Sequence, residues 1–297
     1  TAASVVPVLP GITITGRTLY YLFFALAVSV TAHELAHGLA AESEEIPVRS
    51  SGILLFILIP GAFVELDEEK MKKQEAIKRL KIFSAGSMAN LIVALIFLIL
   101  LINFELLIFP FYAAPAGVLI IDVVDGTPAS EFFTPGVVIF EINGTAVHNV
   151  QEFHNYLIHV SPNQTLVFNT SCGPIVLVTA KHPANSSRGY IGVYTFNYYP
   201  AKNVFSKILG TMVPYHLFEV INWTFLLSFS LAIFNMLPVP LFDGERVVSD
   251  IIKEWAKKRD AGEKLPRMLR ITFAMLSISL LILNFILTFL KIGFRIP

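Results

Sequence analysis

Residues 31–40 read Thr-Ala-His-Glu-Leu-Ala-His-Gly-Leu-Ala, and they lie inside an apolar run at about 18–41 that is long enough to cross a bilayer. On a helix His33 and His37 sit one turn apart on one face, so both imidazoles reach a single cation. Glu34 points about 100° away, beside such a cation rather than onto it. That is the position of a base for an activated water. Ionisable groups well inside a span cost free energy and as a rule mark function. A histidine pair hydrogen-bonded between helices is the blander reading, but the glutamate would then need a partner of its own.

The rest of the chain agrees with a membrane setting. Of 297 residues, 55% are hydrophobic and only 15% charged, and mean hydropathy is +0.67. A soluble domain carries roughly 25% charged residues. The formal net charge is zero, which gives no sign of a nucleic-acid partner. Cys172 is the single cysteine, so no intrachain disulfide forms. Residues 1–16 lack a signal-peptide pattern and read as a strand or interfacial segment.

Beside 18–41, three further runs predict spans, at about 80–109, 208–237 and 268–290. A fifth run, 51–66, is too short to span and is interrupted by Pro60-Gly61. It predicts a re-entrant hairpin, which needs protein or a wet cavity to satisfy its backbone, or else a loop on the interface. Between the second and third spans, residues 112–200 alternate short β-rich runs with turn signals around one helical piece, 149–160. That is the pattern of a small α+β domain.

Basic residues set the orientation. Residues 42–81 hold seven Lys/Arg and 245–270 hold eight, whereas the longer 112–207 holds four. Short basic loops stay in the cytosol, so the α+β domain and both termini are expected outside. His33 is eight residues from Ala41, which at about 1.5 Å per residue places a cation roughly 12 Å inside the cytosolic boundary.

Two histidines do not complete a catalytic zinc site, which has three protein ligands as a rule. His148, His154, His159 and His182 lie in the outer domain, and His216 lies near the outer end of the third span. The third span ends in FNMLPVPLFDGERV (234–247), where Pro238 and Pro240 break the helix just before Asp243-Gly244. Asp243 is therefore the expected third ligand; its alternative role is to cap the following helix. Asn90, in SAGSMANL (84–91), and Asn235 are polar groups within spans. They either line the site and bind substrate carbonyls or the oxyanion, or hydrogen-bond between helices. Ala85, Gly86, Ser87 and Ala89 allow close helix approach.

HELAH within one span, GSMAN in the next and NMLPVPLFDG after it resemble the site-2 proteases, zinc metalloproteases that cut within membranes. PGAFVEL (60–66) resembles the branch with the eukaryotic sterol-regulatory enzyme. The resemblance implies His33, His37 and Asp243 as ligands of one Zn2+ per chain and Glu34 as general base. The family pattern NxxPxPxxDG falls on Asn235, Pro238, Pro240, Asp243 and Gly244, with Phe242 where many members have Leu. Residues 117–157 resemble a PDZ domain, which implies capture of peptide ends and filtering of substrates by size.

The expected fold is a mainly α-helical membrane protein with about four transmembrane helices, a re-entrant β-hairpin and an inserted α+β PDZ-like domain. Its expected segments are 1–17 (interfacial or strand), 18–110 (membrane), 111–200 (extracytoplasmic PDZ-like) and 201–297 (membrane). Its expected partners are the lipid bilayer, single-span membrane-protein substrates and a peptide C-terminus in the PDZ-like domain. The competing readings are a metal transporter, a prenyl-protein protease and an inactive scaffold. A transporter predicts a His-rich loop and ligands from several helices near mid-membrane, neither of which this sequence has.

Overall fold

A computed structural model describes residues 16–56, 59–260 and 262–292. The expected N-terminal strand or interfacial segment lies almost wholly outside them. Asn103–Phe218 form one compact unit; the segments before and after it form the other.

The first segment begins with helix α1 (Thr18–Ser43), followed by strands β1 (Val48–Phe56) and β2 (Ile59–Leu66). The short helix α2 (Glu68–Lys73) and the long helix α3 (Ala76–Ile102) complete it. In α1 the buried positions include Leu22, Ala25, Ser29, His33, His37 and Ala41, a stripe at three- to four-residue spacing. Its large apolar residues Phe24, Leu35 and Leu39 are exposed. The buried stripe of α3 repeats this: Ile82, Phe83, Gly86, Ser87, Asn90 and Ala94 face inward, while Ile92, Leu95, Ile96 and Ile99 face out. Polar and small residues buried together with a few large ones, under a surface of exposed large apolar residues, is the inverse of a water-soluble bundle and suits a lipid surround.

β1 and β2 form the expected hairpin, antiparallel with Ser51 opposite Val64. It starts at Val48, before the apolar run, because backbone pairing extends into polar sequence. Gly38 of α1 faces Val64 of β2, and a methyl there would meet a Val64 methyl at an ordinary contact distance of 3.5 Å. Asp67 caps α2, accepting from the Lys70 N–H at 3.0 Å, with Arg49 at 3.4 Å. That N–H, followed by Arg49, holds its carboxyl below the usual range.

The second unit opens with α4 (Phe104–Ile108). The sequence run 80–109 is thus two helices, broken at Asn103. Strands β3 (Val118–Val123), β4 (Val138–Ile142) and β5 (Thr145–Ala146) follow, and then α5 (Val150–Ile158). After these come β6 (Thr165–Thr170), β7 (Gly173–Val178), β8 (Ala180–His182), β9 (Asn185–Tyr190) and β10 (Val193–Asn197). One sheet has the order β10-β3-β4-β6-β7, with β5 on β4; β8 and β9 pair separately. Burial along β6 alternates strictly, placing Leu166 and Phe168 in a core with Ile120, Ile139, Phe153 and Ile191. α5 is amphipathic. Asn149 caps it by accepting from the Glu152 N–H, and Glu152 reaches back to accept from the His148 N–H. The short helix α6 (Val204–Leu209) ends at Gly210, whose φ of +94° stops it.

α7 (Val213–Phe234) therefore starts later than 208, with Pro214 in its first turn, where the missing N–H costs nothing. α8 (Asp243–Lys258) and α9 (Lys264–Ile292) end the chain. Among the described residues, four helices are long and apolar enough to cross a membrane: α1, α3, α7 and most of α9. Ser29 and Ser228, both fully buried, hydrogen-bond at 2.7 Å and tie α1 to α7. Arg79 of α3 donates to Asp250 of α8 at 2.7 Å, which anchors the helix that Asp243 begins.

Candidate metal centre

Three donors converge. His33 Nε2 and His37 Nε2 each lie 3.1 Å from Asp243 Oδ2 and 3.1 Å from each other. Two imidazole nitrogens and a carboxylate oxygen converge on one point, a donor set and spacing that could hold a single cation. A tetrahedral zinc with bonds of about 2.0–2.1 Å sets donor separations of roughly 3.3–3.4 Å. The triangle fits that ion with shifts of a few tenths of an ångström.

The backbone explains why these atoms meet. α1 is regular through both histidines, so their i, i+4 spacing becomes a shared face. Asp243 arrives from the broken end of α7. Leu237 to Phe242 form a proline-constrained loop, and the Gly244 N–H donates back to the Asn235 carbonyl at 2.7 Å. A side chain at Gly244 would collide with the Met236 carbonyl and lie 2.6 Å from that of Leu237. Asp243 is the first residue of α8; the capping position is Phe242, with no side-chain cap bond. The carboxylate thus serves the imidazoles rather than the helix terminus.

The imidazoles are held from behind. His37 Nδ1 donates to the Ile82 carbonyl at 2.7 Å, which fixes its ring with Nε2 turned toward Asp243. Asn90 is fully buried, and its amide lies 3.2 Å from His33 Nδ1, on the side of the ring away from Asp243. Asn235 Nδ2 lies 3.3 Å from His33 Nε2, on the side of the ring that faces Asp243. The two asparagines therefore occupy different positions: Asn235 lines the cavity, and Asn90 has no exposed surface for a substrate carbonyl. Gly86 packs against the pair. A methyl there would lie 2.5 Å from His33 Cε1 and would collide with His37 Nε2. Its role is legible as "small residue" in the sequence, but not as a floor under two imidazoles.

Glu34 lies beside the triangle, and its Oε2 accepts from the Val64 N–H at 3.2 Å. No sequence signal marked this bond, because a backbone donor carries no residue identity. His33, Glu34, His37, Val64, Asn235 and Asp243 together line a cavity of about 940 Å³. Among the described residues, this is the one group of three or more ligating side chains that converges so closely.

The peptidase family M50 model matches residues 21–280. The chain belongs to peptidase family M50. Among curated relatives of this M50 chain, an uncharacterized protein of Methanocaldococcus jannaschii is 36% identical over 244 residues, covering 82% of this chain and 57% of that protein. A membrane-bound transcription factor site-2 protease homolog of Arabidopsis thaliana is 27% identical over 133 residues, 45% of this chain and 26% of that one. The M50 chain thus spans 57% and 26% of the lengths of these two relatives. Among solved structures, the PDZ domain of the SdrC-like protein of Listeria monocytogenes is 25% identical. It covers 27% of this chain and 87% of that one, with a TM-score of 0.25. As a member of M50 with four apolar helices, the chain is an integral membrane protein.

Proposed function

We propose that this chain is a zinc-dependent endoprotease of the site-2 type that hydrolyses a peptide bond within or near the transmembrane helix of a membrane-protein substrate. The observation that supports it is the His33–His37–Asp243 triangle with Glu34 beside it, in one cavity among helices faced with apolar side chains.

His33, His37 and Asp243 hold the metal. Zinc bound there supplies Lewis acidity for water and for a peptide carbonyl. Glu34 takes the proton of the attacking water and passes it to the leaving amine, with its carboxylate oriented by Val64 N–H. Asn235 Nδ2, beside the same imidazole nitrogen, donates to the oxygen that gains charge in the tetrahedral stage.

A helix must unwind to expose its backbone, and the freed groups then need partners. In an antiparallel strand the N–H and C=O of one residue point to the same side, and alternate residues share that side. Because Val64 points its N–H at Glu34, the edge of β2 that faces the cavity is the one not paired with β1. Ala62 and the Val64 carbonyl on that edge are positioned to pair with an unwound substrate strand. Pro60 offers only its carbonyl there.

In this reading the basic segments holding Lys78, Arg79 and Lys81, and those of α8, face the cytosol. The β-rich unit between α3 and α7 is extracytoplasmic and PDZ-like, a five-strand antiparallel path with one amphipathic helix. It is suited to binding the end of a clipped substrate. The test is incubation of the purified chain with a panel of single-span transmembrane peptides, with and without a metal chelator. Cleavage that stops with the chelator and returns with zinc is the expected result. Cleavage that persists through full chelation contradicts the proposal.

A further inference from the structure

Asn90 is fully buried in α3, within hydrogen-bond reach of a metal-facing histidine but on the wrong side of the ring to touch substrate. Its surroundings contain a contradiction. In the placed orientation Asn90 Nδ2 faces His33 Nδ1 at 3.2 Å, while Asn235 Nδ2 faces His33 Nε2 at 3.3 Å. A neutral imidazole accepts at one nitrogen only; the other carries its proton. Two amide N–H donors therefore cannot both be satisfied by His33. One amide must present oxygen instead.

Two observations select Asn90. Its Oδ1 is buried with no hydrogen-bond partner, which costs about 1–3 kcal/mol for a polar group out of water. An amide turned by 180° has the same shape, so the hydrogen-bond network decides between the two orientations. Turned, Oδ1 accepts from the His33 Nδ1–H, and the orphan oxygen is satisfied. Nδ1 then holds the ring proton, and Nε2 presents a lone pair toward Asp243 Oδ2 and His37 Nε2. Ser87 Oγ, one turn earlier on α3, is the other buried oxygen of this face without a partner. Residues three apart on a helix are neighbours, so it is a candidate acceptor for the released Asn90 N–H.

We infer that Asn90 is a positioning residue for the metal centre: its side-chain oxygen accepts from His33 Nδ1–H and locks His33 in the tautomer that offers Nε2 to zinc. His37 obtains the same lock from the Ile82 carbonyl, so α3 supplies an acceptor to each of the two imidazoles of α1. Gly86, between those two acceptors in sequence, keeps α3 close enough to reach both rings. This rests on the reading of His33, His37 and Asp243 as a zinc site.

The experiment measures zinc affinity, by chelator competition, and the Co2+-substituted absorption spectrum, on full-length protein in detergent. Asn90→Leu removes the acceptor while filling its volume, and Asn90→Asp retains an acceptor oxygen. Loss of the hydrogen-bond partner behind a metal-binding histidine weakens metal binding about 10–100-fold. The expected result is that Asn90→Leu loses zinc affinity by that factor and broadens or weakens the Co2+ spectrum. Asn90→Asp restores both. Asn90→Ala replaces Asn90→Leu if the latter does not fold. Zinc binding as tight in the folded apolar variant as in wild type overturns the inference, and so does an Asn90→Asp variant as weak as the apolar one. A wild-type chain that binds no zinc would instead overturn the metal site itself.

Discussion

The N–H of Val64, in the hairpin strand β2, donates to the carboxylate of Glu34, in helix α1, at 3.2 Å. The group proposed as general base is thus oriented by the edge strand proposed to receive the substrate. A strand that docks on this edge approaches the site alongside the base, so binding and chemistry share one element.

Val64→Pro removes that donor and leaves the β1 pairing of its neighbours. The expected outcome is a fall in kcat of at least about tenfold, consistent with loss of one orienting hydrogen bond of about 1.4 kcal/mol or more to a charged group. Zinc content should be unchanged. Val64→Ala keeps the N–H and should stay close to wild type. Turnover of a transmembrane peptide together with metal analysis checks both.

Glu34→Gln keeps the shape but cannot accept a proton. Cleavage should fall by about 10²–10⁴-fold, the contribution of a positioned base, while zinc binding persists. Peptide turnover alongside metal analysis of the same preparation separates a lost base from a lost metal. Full turnover by this variant would remove Glu34 from the chemistry.

Gly86→Ala puts a methyl among the imidazoles of His33 and His37. Both rings belong to one regular helix, so they cannot retreat without moving α1 from α3. We expect zinc affinity to drop by more than about tenfold, comparable to losing ligand orientation. Met88→Ala, on the exposed side of the same helix, should leave it unchanged. Chelator competition reads both variants.

Arg79 and Asp250 form a largely buried ion pair between α3 and α8. Asp250→Ala leaves the guanidinium without its carboxylate, at a cost of about 3–5 kcal/mol. The expected outcome is a lower unfolding temperature in detergent and, because α8 carries Asp243, weaker zinc binding. Thermal scans with and without zinc test it.

The apolar helices and the shared face of His33 and His37 were legible in the sequence because hydropathy and the i, i+4 histidine spacing are local signals. So was Asp243, since Pro238 and Pro240 announce a broken helix before it. The break at Asn103 was not legible, because the residues on both sides are equally apolar. Nor was the extension of the hairpin back to Val48, where polar residues join a ladder through their backbone. The division of labour between Asn90 and Asn235 lay beyond the sequence, since the two differ only in which nitrogen of His33 they face. The contributions of Val64 and Ile82 come from main-chain atoms and carry no side-chain signature.

The most direct test is the zinc content per chain of purified wild-type protein against Asp243→Ala, measured by native mass spectrometry on folded material. The account predicts one zinc ion in the wild type and its loss, or near loss, in the variant. One zinc retained equally by both would contradict it, because the third donor would then lie elsewhere.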